Sequence, residues 1–244
     1  MEEKKETVRL DKFLSNSGII SRRGVKTILK KMEITVNGKR IKESGMRINP
    51  LKDVIKINGQ LIKKSEIVYF LLNKPIGYIS TTSDEYQRDN VVSLIDTNER
   101  IYPVGRLDKD THGLMLLTND GELTHKLIHP KFHVPKKYRL QIEGKIKPIQ
   151  LKILREGVLL SDGVTLPAQV NLEKETKDKT ILTMTIHEGR NRQIRRMCLA
   201  LGLELLDLER IEFGPLKLGS LKSGEYRKLK TEELNALRKS AEKS

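Results

Sequence analysis

The sequence predicts an α+β protein in two parts, a small basic α/β module followed by a larger mixed domain built mainly on antiparallel strands. Three observations carry the prediction. Charge is lopsided: residues 1–65 hold 17 Lys and Arg against 7 Asp and Glu, while residues 66–244 hold 30 against 25, within a net charge of +15. Two Asn-Gly pairs, Asn37-Gly38 and Asn58-Gly59, follow short apolar runs, the strongest local signal for tight hairpins. After residue 66, strand patterns and a few helices come without regular βαβ alternation.

In the basic module, apolar residues at helical spacing over 8–14 predict a helix that Gly18 stops. Ser21 is placed to cap a second helix over 22–31, with Val25, Ile28 and Leu29 on one face and Arg22, Arg23, Lys26, Lys30 and Lys31 on the rest. Gly24 falls inside that helix, where glycine costs about 1 kcal/mol. A hairpin then turns at Asn37-Gly38, and a further strand over 54–57 reaches Asn58-Gly59. Residues 7–60 form this module, 61–66 a linker, 67–230 the larger domain, and 231–244 a charged tail.

The larger domain opens with a buried-strand pattern over 67–72, closed by Asn73-Lys74-Pro75, and a polar loop over 80–90. A glycine-bracketed polar loop, Gly105 to Gly113, breaks away before the apolar run Leu114-Met115-Leu116-Leu117, a setting that holds a reactive side chain rigidly yet exposed. A helix over 122–128, a basic strand over 136–142, a helix opened by Pro148 and a strand over 180–186 follow. Asn191 is placed to cap a helix whose Ile194, Met197, Cys198 and Leu201 form the buried stripe. At about 100° per residue, Arg195 flanks that stripe and can reach a partly buried partner, whereas Arg190, Arg192 and Arg196 suit phosphates. Thr231 is placed to cap a last, polar helix.

Composition narrows the function classes. A positive excess of this size attracts polyanions, so nucleic acid is the leading partner. The lone Cys198 excludes an intramolecular disulfide framework and sits where a packed thiol belongs. With no apolar leader and no run of membrane-spanning length, a cytosolic protein is expected. His125, His129 and His133 recur every four residues, but Pro130 interrupts them and no Cys or HExxH partner accompanies them, so no metal is expected. No phosphate loop or dinucleotide glycine signature occurs. The residues left with chemical potential are Asp108, Tyr138 and Arg195, and on residue type alone Asp110 is as eligible as Asp108.

Arg9-Leu10-Asp11-Lys12, Ser21-Arg22-Arg23 and Val36-Asn37-Gly38 stand in the order and spacing of the S4 RNA-binding domain, which residues 7–60 resemble. That resemblance implies RNA contacts from Arg9, Lys12, Ser21, Arg22, Arg23 and Asn37. Gly105-Arg106-Leu107-Asp108, Lys136-Lys137-Tyr138 and Glu188-Gly189-Arg190-Asn191-Arg192-Gln193-Ile194-Arg195-Arg196-Met197, together with Asn73-Lys74-Pro75 and Gly214-Pro215-Leu216, resemble the RsuA/RluB/RluE/RluF family of ribosomal RNA pseudouridine synthases. Within it, Lys109-Asp110, Arg88-Asp89-Asn90 and the stretch from Asn191 to Cys198 look most like the RluF branch.

The family resemblance implies isomerisation of uridine to pseudouridine in ribosomal RNA, 23S before 16S, on naked RNA or an assembly intermediate. It implies no cofactor, no DNA or membrane partner, and a monomer. It also implies Asp108 as the single catalytic aspartate, Arg195 as its ion-pair partner, and Tyr138 stacked on a flipped base. Arg106, Arg190, Asn191, Arg192 and Arg196 would hold the RNA backbone. Two rivals use the same features: a non-catalytic RNA-binding or assembly factor, and a DNA-binding protein argued from charge alone.

Overall fold

A computed structural model describes residues 7–21, 24–63, 65–82 and 88–242 of the chain. Arg22 and Arg23, expected to face RNA, lie outside the described residues. The chain divides into two compact units, one of residues 1–68 with 97–101 and 119–121, the other of 69–96, 102–118 and 122–244.

In the first unit, helices α1 (Leu10–Asn16) and α2 (Val25–Lys31) join a four-stranded antiparallel sheet. Its strands β1 (Ile34–Val36), β2 (Lys39–Arg40), β3 (Ile55–Ile57) and β4 (Gln60–Leu61) run in the order β2-β1-β3-β4. Both Asn-Gly turns form: Asn37 and Asn58 adopt φ of 52° and 46°, the left-handed first position that a two-residue hairpin needs. Leu10, Phe13, Leu14, Val25 and Ile28 bury against Ile34, Val36, Ile48, Ile55 and Ile57, each worth roughly 1.5–3 kcal/mol of burial.

Three expectations for this unit are corrected. The first helix starts at Leu10, because Val8-Arg9 pairs instead with Arg47-Ile48. The second starts at Val25, with Gly24 at its N-cap and the Ser21 hydroxyl accepting from the Gly24 amide at 3.2 Å. A Cβ on Gly24 would come within 2.6 Å of Ile20, so this glycine serves close packing and carries no helix-interior penalty. Leu61, expected in a linker, is paired with Lys56, because the Asn58-Gly59 turn sends the chain back along β3.

The second unit is built on one large sheet. Its principal strands are β5 (Tyr69–Lys74), β6 (His112–Thr118), β7 (Lys136–Glu143), β8 (Gln169–Glu175), β9 (Lys179–Ile186), β10 (Leu205–Phe213) and β11 (Tyr226–Lys228). Their order is β8-β9-β7-β10-β6-β5-β11, antiparallel except where β6 runs parallel to β10. Leu140, Ile142, Leu182, Met184 and Ile186 alternate onto one face and pack with Ile194, Met197 and Cys198 of helix α5, described below. A second core gathers Tyr69, Leu71, Leu114, Leu116 and Phe213 with Leu123 and Leu127 of α3 (Gly121–Ile128). Helix α4 (Pro148–Glu156) carries Pro148 in its first turn, as the sequence predicts.

Helix α5 spans Gln193–Ala200 and α6 Thr231–Ser240. Thr231 does not cap α6; the cap position is Lys230, whose amide donates to Glu233 at 2.9 Å while Arg227 forks the same carboxylate. Nor is this end a charged tail: Leu237 and Ala241 are buried in the second core, because the apolar positions of 231–241 fall on one face. Among the described residues, no helix is long and apolar enough to cross a membrane.

Candidate active site

The loop ahead of β6 is held from beneath at three points. The Ser80 hydroxyl accepts from the Leu107 amide at 3.0 Å and donates to the Leu107 carbonyl at 2.8 Å, fixing the residue just before Asp108. The Gly77 amide donates to the Lys109 carbonyl at 2.8 Å. Lys74, fully buried at the end of β5, donates its ammonium to the carbonyls of Thr111 at 2.7 Å and Pro75 at 3.0 Å. Burial pulls the Lys74 ammonium down to about 8, against the opposing pull of Asp110 and Asp108. At the loop's far end Gly113 adopts φ of 103°, and a Cβ there would lie 2.4 Å from the Arg210 carbonyl oxygen. Only glycine lets β6 approach β10 this closely.

Asp108 opens onto a pocket of about 400 Å³, a volume within the range of small-ligand sites. Arg106 stands exposed at its edge; Tyr138 on β7 lines the wall, and Asn191, Arg192 and Arg195 come from the start of α5. The sequence-predicted trio Asp108, Tyr138 and Arg195 therefore shares one cavity.

The partners inside the pocket differ from expectation. Arg195 meets Asp110, not Asp108: its Nε lies 3.3 Å from the Asp110 carboxylate, and Nη2 donates to the Asp110 carbonyl at 2.7 Å and the Thr111 hydroxyl at 3.1 Å. Arg192 forks the Asp110 carboxylate at 3.2 and 3.0 Å, and its Nη1 lies 3.7 Å from Asp108 Oδ2. Burial raises the Asp110 carboxyl, but the Arg192 hydrogen bonds and the charges of Arg195 and Arg192 outweigh it and leave the group below the usual carboxylate range. Asn191 is not the helix cap. Arg192 occupies that position with φ of 47°, and this left-handed turn, not a side-chain cap, starts α5.

Arg190, which also lines the pocket, and Arg196 take partners from the turn at Asp162. Arg190 donates to Glu188 at 3.0 Å and to the carbonyls of Asp162, Gly163 and Val164 at 3.2, 2.9 and 2.7 Å. Arg196 forks Asp162 at 2.9 and 3.0 Å. The turn at Asp162 presents acceptors to both of these side chains. Cys198 is buried, which pushes its thiol up to about 12. Among the described residues, no cluster of three His, Cys, Asp or Glu is arranged to hold a metal.

In the first unit, Arg9 bonds Asp11 at 2.8 Å, and Asn37 ties its turn to the segment ahead of β3, donating to Asp53 at 2.9 Å and accepting from the Val54 amide at 2.8 Å. Lys12 lies on α1. Sequence reasoning passed over a groove of about 520 Å³ there, edged by Lys26, Lys30, Arg40 and Lys42. It also passed over Ser80 and the role of Lys74, since a buried lysine at a strand end reads like any surface lysine.

Comparison with known proteins agrees with this architecture. The RNA pseudouridylate synthase family model matches residues 68–200, and the S4 domain model matches residues 8–55. The chain belongs to the RNA pseudouridylate synthase family and carries an S4 domain. Ribosomal large subunit pseudouridine synthase B of Bacillus subtilis is 42% identical over 94% of this chain and 95% of its own length. The dual-specificity RNA pseudouridine synthase RluF of Escherichia coli is 38% identical over 98% of this chain and 81% of its own. A crystal structure of a pseudouridylate synthase superposes with a TM-score of 0.68 at 31% identity, covering 94% of this chain and 99% of the other.

Proposed function

We propose that this enzyme isomerises uridine to pseudouridine in ribosomal RNA, that of the large subunit, with Asp108 as its single catalytic aspartate. The observation that carries the reading is the convergence of Asp108, Tyr138 and Arg192 on one pocket above a loop fixed by Ser80, Gly77 and Lys74. A rigid carboxylate open to a cavity suits a reaction that breaks the N1 glycosidic bond and bonds C5 to the same sugar carbon. Such a rearrangement has no net redox change and needs no cofactor. Tyr138 is suited to stack on the target base, which must leave its RNA helix to enter the pocket.

Arg106 and Asn191 are assigned to the RNA backbone near the target, and Arg9, Lys12, Ser21 and the basic groove of the S4 unit to further RNA contacts. Large-subunit RNA is favoured by the likeness to synthase B and is compatible with the RluF branch. The test is tritium release from RNA carrying 5-tritiated uridine. Asp108→Asn is expected to lower turnover by roughly 10³-fold or more while RNA binding persists. Retained turnover in the purified variant would remove Asp108 from its role. Pseudouridine mapping in a strain lacking the gene identifies the RNA; loss of no ribosomal site would favour a non-catalytic binding factor.

A further inference from the structure

Two aspartates, not one, face the arginines at the start of α5, and they are treated unequally. Asp110 takes both ends of the Arg192 fork and the side of Arg195; Asp108 receives one Arg192 nitrogen at 3.7 Å, beyond hydrogen-bond length. Arg195 is tied to the same turn twice more, through the Asp110 carbonyl and the Thr111 hydroxyl. Thr111 is itself buried, and its carbonyl takes the Lys74 ammonium. The Asp110 side chain is therefore the shared end point of two guanidinium groups, on a turn held by the Arg195 and Lys74 hydrogen bonds.

A guanidinium fork matched to a carboxylate is bidentate and directional. Were Arg192 to close on Asp108 in that way, both oxygens of the reacting carboxylate would be engaged and aimed away from the substrate. We propose that Asp110 is a positioning residue that draws the Arg192 fork to itself, leaving Asp108 within reach of one cationic nitrogen but free to meet the nucleotide. This rests on the reading of the pocket as the reaction site. It gives the second aspartate of Asp108-Lys109-Asp110 a role separate from that of the first.

The tests are kinetic and use the full chain with transcribed rRNA. Asp110→Asn keeps the shape and removes the charge; kcat is expected to fall ~10–100-fold, the scale of a misplaced reacting group. RNA affinity is expected to hold or tighten, with a steeper salt dependence, because the pocket becomes more positive. Asp110→Glu, which keeps the charge, recovers part of kcat. Arg192→Lys cannot fork, so Asp110→Asn/Arg192→Lys is expected to turn over no more slowly than Asp110→Asn alone.

A kcat for Asp110→Asn within about threefold of the unaltered enzyme overturns the proposal. So does a double variant whose two losses multiply, or a loss of kcat matched by loss of RNA affinity and of melting temperature. Asp108→Asn run alongside separates the two readings. If it retains turnover, the assignment of the reacting carboxylate fails, and with it this role for Asp110; if it is inactive while Asp110→Asn matches the unaltered enzyme, only the role of Asp110 fails.

Discussion

Two pairs of arginines on one short stretch of chain take different partners. Arg192 and Arg195 turn to Asp110 beside the pocket, while Arg190 and Arg196 turn to Asp162 and the carbonyls that follow it. All four belong to one basic segment, and helical spacing sets apart only Arg195. What separates them is the acceptor that the fold brings opposite each. The first pair meets a carboxylate in the loop of the candidate active site; the second fastens a hairpin turn to a helix. Basic residues close together in sequence are thus divided between different acceptors, and charge alone does not tell which meets which.

The largest effect is expected at Arg195. Arg195→Lys replaces a planar fork with a point charge, and turnover is expected to fall ~100-fold, read by tritium release. Full activity would mean that the two pairs do not differ in kind.

A second probe addresses the backing of the loop. Lys74 and Lys136 both sit near 8 in the folded protein, below the ordinary 10.5, because burial penalises their charge. Between about pH 8 and 10.5 the unfolded chain holds protons that the folded one has released, so stability should rise with pH across that window. Denaturant midpoints measured against pH would show this, and Lys74→Met should remove the Lys74 part of the slope. An unchanged slope would mean that the Lys74 ammonium is not desolvated in solution.

The smallest effect is expected at the pair that meets Asp162. Arg196→Ala should leave kcat and RNA affinity within about threefold, since an exposed fork contributes little. A large loss of affinity there, measured by filter binding, would return Arg196 to the RNA surface.

The sequence made local features legible and long-range ones obscure. Asn37-Gly38, Asn58-Gly59 and Pro148 act through their own backbone preferences, and each forms the predicted structure. The loop around Asp108 and the helix after Arg192 were also visible, the first from its glycines and the second from its apolar stripe. Arg192 in a left-handed conformation was not, because nothing in its residue type favours φ of 47°. Nor was the pairing of Arg195 with Asp110. Eighty-odd residues separate them, and a spacing rule for one helix says nothing about which loop oxygen waits opposite it. The buried ends of α6 and the Leu61 strand were missed for a related reason: short segments gain their place from neighbours, not from intrinsic preference.

Gly113 is flanked by paired strands on both sides. The loop bearing Asp108 runs directly into β6, which has β5 on one side and β10 on the other, so its first residues lie in the interior of the sheet. Fraying cannot start there as it does at a sheet edge. Amide exchange at residues 113–117 should therefore follow global unfolding, and the carboxylate at the strand's entrance should keep its bearing while less protected segments exchange faster.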